Sequence, residues 1–466
     1  MKHKIDLLSL LRPVHFIGIG GIGMSALAHI LLKARYKVSG TDLRRTNIIN
    51  KLEASGAKIF IGHSASNICD DIGLVVYSSS ISEDNPELRQ AKMKNIPIIH
   101  RGDLLAYFVN SKKGIAVTGA HGKTTTTALV SMLFMKAGLD PTILVGAEVD
   151  DFGGNAVYGE GNYVIAEADE SDGSFLKLKP FYEIITNIDM EHLDYYKDFD
   201  RIKQANQIFV ENIKKDGCLF YNAEDENLKG IAANTAKRSR CFGMSEKADI
   251  FPRNVRMEGF CSTFECFYHQ KYLSDIQLNV PGAHNILNSL AVILVGLEAG
   301  IKTDVIKSSL ECYHGAKRRF QVKGVIDGVT VVEDYAHHPT EIRAVLNTCR
   351  AIWGHNKRII SIFQPHRFTR TMFLSDEFAK SLSASDKVIL TDIYSAHETP
   401  IEGVSIKNIY DKTSKYNMQD VRILAKGDII STIISELKRD DVVLVLGAGD
   451  IGEVSDELVD ILKKRS

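Results

Sequence analysis

The chain contains little cysteine, little tryptophan and almost no net charge. Its 466 residues include seven cysteines and one tryptophan, and the formal net charge is −1. The odd cysteine count, without a Cys-x-x-Cys pair, argues against a disulfide framework and favours reduced, mostly buried thiols. The near-zero charge gives no general attraction to nucleic acid or to an anionic membrane, so any polyanion has to bind at a local site.

Long apolar runs are also missing. No run approaches the length of a membrane span, and the first six residues, Met-Lys-His-Lys-Ile-Asp, do not resemble a signal-peptide core. We therefore expect a cytoplasmic protein with no membrane insertion and no nucleic-acid partner. The length is sufficient for roughly two to four domains.

The most informative stretch is Gly-Ile-Ala-Val-Thr-Gly-Ala-His-Gly-Lys-Thr-Thr-Thr-Thr at residues 114–127. An apolar run ends just before Gly119, and Gly122-Lys123-Thr124 begins a predicted helix. Glycines allow backbone N–H groups to approach phosphate oxygens, and a helix N-terminus adds positive potential. In this arrangement Lys123 reaches the outer phosphates and the Thr124 hydroxyl is available to Mg²⁺. The stretch therefore predicts a nucleoside triphosphate site.

This loop is shorter than the standard phosphate-binding loop. The standard motif places four residues between its first glycine and the Gly-Lys pair. Here only Ala120 and His121 separate Gly119 from Gly122. The shortened loop restricts the family to which the chain can belong.

A second glycine-rich motif lies near the N-terminus. A predicted strand, 14–17, leads into Gly-Ile-Gly-Gly-Ile-Gly at 18–23 and then into a predicted helix, 24–33. A second predicted strand, 36–39, is followed by Asp42. This is the G-x-G-x-x-G pattern in its strand–turn–helix context, with an acidic residue about twenty positions later. The motif predicts a bound diphosphate, and on its own it favours NAD(P) or FAD over other nucleotides.

Acidic clusters follow two further predicted strands. The strand at 162–166 is followed by Glu-Ala-Asp-Glu-Ser-Asp at 167–172, and the strand at 183–186 is followed by a second polar cluster at 187–194. Ligands of α/β sheets collect at the carboxyl ends of strands, so both clusters should face the phosphates. Metal ligation therefore explains these carboxylates better than a solvated loop does.

A polar group opens the long apolar helix that we predict to run to Gly300. It consists of His284, Asn285 and Asn288. Because the two asparagines are three positions apart, they share a helix face. Two interpretations stay open, helix capping and contact with a ligand.

The last third of the chain repeats the pattern of strands followed by polar motifs. The predicted strand 329–332 is followed by Glu-Asp-Tyr-Ala-His-His-Pro-Thr, and the predicted strand 358–362 by Phe-Gln-Pro-His-Arg-Phe-Thr-Arg-Thr. A predicted strand at 387–391 comes next. The last strand, 442–446, leads into a second G-x-G-x-x-G match at 447–452. Too few residues follow it to complete a βαβ unit, so we interpret it as a phosphate-facing or structural turn.

These patterns predict an α/β protein of three consecutive domains, each around a mainly parallel sheet. The expected boundaries are 1–108 for a Rossmann-like domain that binds a diphosphate, 109–315 for a P-loop-type central domain, and 316–466 for a Rossmann-like C-terminal domain. A ligand site is expected at the carboxyl ends of the strands in each.

In this order the motifs resemble those of the Mur ligases of peptidoglycan synthesis, over nearly the whole chain. The resemblance implies that ATP phosphorylates a UDP-sugar carboxylate and that an amino acid then attacks the acyl phosphate. The run Gln-Pro-His-Arg-Phe-Thr-Arg-Thr at 364–371 is most similar to the branch that adds L-alanine to UDP-N-acetylmuramic acid. The branch that recycles a tripeptide onto the same sugar typically lacks this run and is the alternative within the family.

The resemblance also implies roles for individual residues. The UDP-sugar would be bound by Gly18, Gly20, Gly21, Ile22, Gly23 and Asp42. ATP would contact Gly119, Ala120, His121, Gly122, Lys123, Thr124, Thr125, His284, Asn285, Asn288, Arg319 and Asp334. Two Mg²⁺ ions would be held, the first by Thr124 and Glu167 and the second by His192. The amino acid would be bound by Tyr335, His337, Arg367 and Arg370, with the two arginines on its carboxylate. The catalytic groups would be Lys123, Glu167, His192, Arg319 and His337.

The sequence departs from the pattern of the family at one point. Several Mur ligases carry a carbamylated lysine in the helix after the motif that contains His192. Residues 202–207 read Ile-Lys-Gln-Ala-Asn-Gln, without a lysine at the position that we align. We therefore predict no carbamate.

Two other classes of protein explain less of the sequence. An NAD-dependent oxidoreductase accounts for residues 14–42 and leaves the Lys-Thr loop, both polar clusters and the third segment unexplained. A P-loop ATPase that performs mechanical work would carry a standard Walker loop, and this chain does not.

Overall fold

The computed structural model describes residues 12–396, 398–416 and 420–465. The chain forms two compact units. The first comprises 1–251, 267–271 and 288–309, and the second comprises 252–266, 272–287 and 310–466. In the described part of the chain, none of the helices is both long and apolar enough to traverse a bilayer.

The N-terminal part of the first unit alternates strands and helices. The strands are β1 (Val14–Ile17), β2 (Val38–Asp42), β3 (Lys58–Ile61), β4 (Leu74–Tyr77) and β5 (Ile98–His100), and the helices are α1 (Ile22–Lys33), α2 (Asn47–Ala54), α3 (Pro86–Met93) and α4 (Arg101–Ser111). The sheet order is β3-β2-β1-β4-β5, and all pairs are parallel, with Val14 opposite both Val38 and Leu74. This is the predicted Rossmann-like arrangement.

The second strand of this sheet lies further along the chain than the predicted 36–39. Pairing continues to Thr41 opposite Ile17 and to Asp42 on the β3 side. Gly40 has a low β-propensity, but here it is buried, and a Cβ on it would lie 2.6 Å from Ile19. Close packing therefore overrides local propensity at this position.

The central part of the chain contributes a larger sheet. Its strands are β6 (Lys113–Thr118), β7 (Thr142–Val149), β8 (Gly154–Val157), β9 (Tyr163–Glu167), β10 (Tyr182–Ile185), β11 (Cys218–Asn222), β12 (Arg238–Phe242), β13 (Ile250–Glu258), β14 (Cys261–Tyr268) and β15 (Lys271–Leu278). Its helices are α5 (Lys123–Lys136), α6 (Leu193–Tyr196), α7 (Phe199–Glu211), α8 (Glu226–Ala233), α9 (Ala283–Glu298) and α10 (Thr303–Glu311). The order is β15-β14-β13-β12-β11-β10-β6-β9-β7-β8.

Parallel pairing in this sheet surrounds β6, which has β10 on one side and β9 on the other. The β7–β8 pair is antiparallel. The carboxyl ends of β6, β9 and β10 therefore meet at one edge of the sheet, which brings the predicted phosphate loop and the two polar clusters together.

The third sheet belongs to the second unit. Its strands are β16 (Gln321–Ile326), β17 (Val329–Asp334), β18 (Ile359–Phe363), β19 (Lys387–Leu390), β20 (Val421–Ile423) and β21 (Val442–Leu446), in the order β16-β17-β21-β18-β19-β20. The helices are α11 (Pro339–Trp353), α12 (Phe368–Leu382), α13 (Lys407–Thr413), α14 (Ile429–Ile433) and α15 (Gly452–Arg465). Every residue of β21 is buried, as expected for a strand inside a parallel sheet. Among the described residues of this sheet, β16 alone pairs antiparallel, so the predicted α/β class with mainly parallel sheets is confirmed.

Candidate active site

The predicted phosphate loop lies between β6 and α5 in the first unit. Gly119 and Gly122 have φ values of 122° and 81°, a region that glycine enters without steric cost. A Cβ on Gly119 would overlap the Thr186 hydroxyl, and a Cβ on Gly122 would lie 2.8 Å from Asn288 Oδ1. Both glycines are therefore required by backbone conformation and by close neighbours.

Residues after β10 hold this loop in shape. Asn187 Oδ1 accepts a hydrogen bond from the His121 N–H at 2.9 Å, and Asn187 Nδ2 donates to the His121 carbonyl at 3.0 Å. The Thr186 hydroxyl donates to the same carbonyl at 2.5 Å, and His121 Nε2 lies 3.0 Å from Asp189 Oδ2. The second polar cluster therefore contacts the loop.

The Lys123 side chain turns back onto its own loop. Its Nζ donates to the Gly119 carbonyl at 2.7 Å and to Glu170 Oε1 at 3.2 Å. Burial by itself lowers the pKa of Lys123, but the carboxylates of Glu170, Asp169 and Glu167 outweigh burial and raise it above its ordinary value. Lys123 is therefore charged, and a phosphate at the loop would compete with Glu170 for it.

Thr124 and Glu167 meet at the start of α5. Thr124 Oγ1 donates to Glu167 Oε1 at 3.2 Å, and Glu167 Oε2 accepts from the Gly146 N–H at 2.9 Å. A Cβ on Gly146 would lie 2.6 Å from this carboxylate, so glycine is needed there. A hydroxyl and a carboxylate are oxygen ligands of the kind that Mg²⁺ prefers, and the pair fits the predicted metal.

His192 shares this acidic region. Its φ of 56° is uncommon for a residue other than glycine, and its Nε2 lies 3.9 Å from Glu191 Oε2. Burial raises the pKa of Asp169, but Lys123 and His192 lower it to below its ordinary value. The first unit thus places the predicted groups Lys123 and His192 around one ionised carboxylate.

The start of α9 contributes to both units. Asn288 belongs to the first unit and lies beside Gly122. Asn285 belongs to the second unit, where its Nδ2 donates to the Pro281 carbonyl at 2.7 Å. Burial, assisted by the charge of Arg319, lowers the pKa of His284 to about 4, so the ring is neutral at pH 7.

The predicted diphosphate loop lies between β1 and α1. The N–H groups of Gly18 and Ile19 both donate to the Thr41 carbonyl at 2.9 Å. The Gly20 N–H donates to Asp42 Oδ2 at 2.9 Å, and a Cβ on Gly20 would lie 2.8 Å from that oxygen. The carboxyl end of β2 therefore fixes the backbone of the glycine loop.

The remaining residues of this motif form the beginning of α1. Gly21 is the N-cap, and Ile22 and Gly23 are the first two helical residues. No side chain in the described part of the chain caps the helix at Gly21. The first N–H groups of a helix have no acceptor within the helix, which suits an anionic ligand at this position.

In the second unit, predicted nucleotide and amino-acid contacts meet at the end of β17. The Asp334 carboxylate accepts from the N–H groups of Phe320 at 2.6 Å and Ala336 at 2.7 Å. Burial raises the pKa of Asp334 to about 6, although Arg319 acts in the opposite direction. The Arg319 guanidinium lies 5.0 Å from the centre of the Tyr335 ring. Arg319, Asp334 and Tyr335 therefore form one cluster.

The second glycine-rich match, 447–452, is tied to the same region. Arg318 Nη2 donates to the carbonyls of Gly447 at 2.7 Å and Gly449 at 3.0 Å, and its Nε donates to Glu333 Oε1 at 2.7 Å. Of the two interpretations of this run, a phosphate-facing turn or a structural turn, these contacts support the second.

His337 and His338 have different surroundings before α11. Glu341 Oε2 accepts from their backbone N–H groups at 3.0 and 3.2 Å, and His338 forms the helix cap. His337 Nδ1 lies 2.9 Å from the Tyr335 carbonyl, and its ring meets the His366 ring edge-on at 5.6 Å. His337 therefore contacts Tyr335, another of the predicted amino-acid residues.

Arg367 and Arg370 lie at the start of α12. Arg370 Nη1 donates to the His366 carbonyl at 3.1 Å. Arg367 has φ 75° and ψ 140°, a conformation that residues other than glycine rarely adopt. Because Arg370 contacts His366 and His366 contacts His337, the predicted amino-acid residues form a connected group.

Sequence reasoning missed some residues of these clusters. Asn187 and Asp189 were predicted only as members of a polar run, and their positions after β10 were the available signal. Tyr394 and Glu398 lie in the loop after β19, where no motif marks them. The Tyr394 ring stacks on His366 at 5.6 Å, and Glu398 Oε1 accepts from the Thr369 hydroxyl at 2.7 Å.

The fold and these clusters define a three-sheet α/β protein with glycine-rich loops before α1 and α5. Three regions of the chain match family models: 13–113 matches the Mur ligase family catalytic domain, 117–296 the Mur ligase middle domain, and 318–449 the Mur ligase glutamate ligase domain. Together the three matches cover most of the chain.

Individual proteins are similar over the whole chain. UDP-N-acetylmuramate–L-alanine ligase of Geotalea uraniireducens is 43% identical over 97% of this chain and 98% of that protein. The protein of the same name from Dictyoglomus turgidum is 45% identical over 96% of each. The crystal structure of UDP-N-acetylmuramate-alanine ligase from Thermotoga maritima is 31% identical, with a TM-score of 0.83 over 98% of this chain and 100% of that chain. A murein peptide ligase from Psychrobacter arcticus is 21% identical with a TM-score of 0.71 over 97% of this chain and 98% of that chain, which shows a shared fold alone.

The chain belongs to the Mur ligase family. This confirms the family predicted from the motif order. Membership also decides against an NAD-dependent oxidoreductase and against a mechanical P-loop ATPase.

Proposed function

We propose that the protein joins L-alanine to the carboxylate of UDP-N-acetylmuramic acid at the expense of ATP, in the synthesis of peptidoglycan precursors. Relatives named for this reaction align with 96–97% of the chain at 42–45% identity. This full-length similarity is the observation that carries the proposal. Its place of action is proposed to be the cytoplasm.

The predicted domain boundaries divide the ligands among the three sheets. Residues 1–108 are proposed to bind the UDP-sugar through Gly18, Gly20, Gly21, Ile22, Gly23 and Asp42. Residues 109–315 are proposed to bind the ATP phosphates. Residues 316–466 are proposed to contact the amino acid and part of the nucleotide. The uncapped start of α1 supports the first assignment, because a diphosphate is a suitable acceptor for its N–H groups.

The first chemical step is the transfer of the γ-phosphoryl group to the sugar carboxylate. A carboxylate oxygen forms the new bond to phosphorus, the bond to the β,γ-bridging oxygen breaks, and ADP leaves. Both reactants are anions, so catalysis depends on positioning and on neutralising charge. Lys123 is proposed to supply a charge at the outer phosphates, and Arg319 a second at the γ-phosphate. Nucleotide contacts are also proposed for Ala120, His121, Thr125, His284, Asn285, Asn288 and Asp334.

Divalent cations are proposed to assist at the acidic region of the first unit. Thr124 and Glu167 would hold one Mg²⁺, and their hydroxyl and carboxylate oxygens at 3.2 Å are suitable donors. His192 would contribute to a second. When bound, these ions would supply positive charge near the phosphates.

In the second step the amine of L-alanine attacks the acyl carbon, and inorganic phosphate leaves. The oxygen of the tetrahedral intermediate carries negative charge that nearby cationic groups stabilise. Arg367 and Arg370 are proposed to hold the alanine carboxylate, and Tyr335 and His337 to lie beside the amine. The connection of His337 to Arg370 through His366 supports this grouping.

The alternative within the family, tripeptide recycling, is tested by the choice of amine. L-alanine and the tripeptide are supplied at equal concentrations together with UDP-N-acetylmuramic acid, ATP and Mg²⁺. The products are then identified by mass spectrometry. We expect the L-alanine adduct as the main product. A preferred tripeptide adduct would assign the protein to the recycling branch.

A further inference from the structure

The loop that follows β19 contacts one of the two predicted carboxylate-binding arginines, Arg367, and reaches the other, Arg370, through His366, although none of the sequence motifs includes this loop. Its residues Tyr394 and Glu398 belong to the same unit as Arg367 and Arg370. They contact the segment between Pro365 and Arg370 through backbone bonds, a stacked ring and a carboxylate.

The backbone bonds lie on both sides of His366. The Tyr394 N–H donates to the Pro365 carbonyl at 2.8 Å, and the Arg367 N–H donates to the Tyr394 carbonyl at 2.8 Å. Arg367 adopts its unfavourable φ of 75° at this point. Such a conformation persists only where the surrounding structure holds it, and the Tyr394 carbonyl provides one such contact.

The Tyr394 ring supports the next residue in the chain of contacts. It stacks on His366 with an interplanar angle of 14°, and Arg370 donates to the His366 carbonyl. A Cβ on Gly449 would lie 2.6 Å from Tyr394 Cγ, so the glycine turn leaves the space in which this ring packs. Tyr394 therefore fixes His366, and His366 contacts Arg370.

Glu398 acts on the first turn of α12. Its Oε1 accepts from the Thr369 hydroxyl at 2.7 Å and its Oε2 from the Thr369 N–H at 3.1 Å. Arg367 Nη1 lies 3.9 Å from Oε1. A carboxylate is favourable at the N-terminus of a helix, and here it also attracts one of the two arginines.

We propose that Tyr394 and Glu398 are positioning residues, which hold Arg367 and Arg370 in the orientation that binds the carboxylate of the amino acid. The proposal rests on the proposed function. Arginine recognises a carboxylate through fixed, parallel hydrogen bonds. Removing the contacts of Tyr394 or Glu398 should therefore weaken amino-acid binding and leave the binding of ATP and of the UDP-sugar unchanged.

The test uses the full-length enzyme and steady-state kinetics of phosphate release, with each of the three substrates varied in turn. Tyr394→Ala and Glu398→Ala should each raise the KM for L-alanine by about tenfold or more, because small misplacements of binding groups have large kinetic effects. Tyr394→Phe keeps the ring and the backbone bonds and should restore the KM to near the wild-type value. Glu402→Ala removes an exposed carboxylate of the same loop and is the matched control.

Glu398→Gln serves if an alanine variant does not fold, since it keeps the size of the side chain and leaves one acceptor oxygen. It should raise the KM for L-alanine in the same direction by a smaller factor. An unchanged KM for L-alanine in the folded variants would overturn the inference, and so would equal increases in all three KM values. A wild-type enzyme that releases no phosphate in response to L-alanine would instead refute the proposed function.

Discussion

Because of Glu183, we expect the free energy of unfolding to fall as the pH rises. Replacing Glu183 should remove this contribution to the pH dependence. Glu183 lies in β10, opposite Ala116 of β6 and Leu219 of β11, and its side chain is fully buried. Within the part of the chain that the structure describes, neither of its carboxylate oxygens has a hydrogen-bond partner. Burial raises the pKa of Glu183 well above the ordinary value of 4.5, and the nearby Lys237 offsets this only in part.

The direction of this pH dependence follows from the number of protons bound in the folded and in the unfolded state. The unfolded chain releases the Glu183 proton near its ordinary pKa, whereas the folded chain retains it to a higher pH. Between the two pKa values the unfolded state binds fewer protons, so the unfolding free energy falls as pH rises, by at most about 1.4 kcal/mol per pH unit. In a unit of this size, that corresponds to roughly 2–3 °C in the unfolding temperature per pH unit.

Scanning calorimetry of the full chain over a pH series measures this effect. Glu183→Gln should flatten the dependence of the unfolding temperature on pH. The stability of this variant relative to the wild type should therefore increase with pH. Glu183→Leu should be more stable still, because a buried amide without partners costs about 1–3 kcal/mol. Glu160→Gln, an exposed carboxylate in the same unit, is the control. Parallel pH profiles for the wild type and Glu183→Gln would refute the reasoning.

Two further predictions concern the proposed ligand sites. Lys123→Ala should lower ATP-dependent turnover by about 10²-fold or more while calorimetric binding of the UDP-sugar stays near normal, because the Lys123 ammonium contacts its own loop and Glu170, which lie outside the predicted UDP-sugar domain. A comparable loss of UDP-sugar affinity would show that the site is misassigned. Gly20→Val should raise the apparent KM for the UDP-sugar about tenfold, which is ~1.4 kcal/mol of binding free energy, and the KM for ATP far less, because a side chain at this position meets Asp42 and Ile49. The reverse pattern would contradict the assignment of the diphosphate loop.

The elements that could be predicted from the sequence share a simple pattern. β1 and β21 match the predicted ranges, 14–17 and 442–446, to the residue, because each is a short run bounded by turn residues or charges. The strands β13, β14 and β15 were not predicted. Lys-Tyr-Leu-Ser-Asp-Ile-Gln-Leu of β15 mixes charged and apolar residues, and its burial alternates only near its end, so periodicity gives a weak signal.

The site shows the same division between local and long-range information. The glycine positions, Lys123 and the acidic residues after strands were predictable, because each motif is contiguous and its chemistry is local. The turn of Lys123 towards Glu170 depends on the pairing of β6 with β9. The support of Arg367 by Tyr394 joins residues 27 positions apart (394 − 367) through backbone atoms, and side-chain identity carries no signal for such a contact.

The dependence of phosphate release on both substrates is the sharpest test of the proposed ligation. The purified protein is incubated with ATP and Mg²⁺, with UDP-N-acetylmuramic acid and L-alanine added separately and together. We predict release only when both are present, together with one UDP-N-acetylmuramoyl-L-alanine formed per phosphate. Equal release without the sugar nucleotide, or without L-alanine, would contradict it.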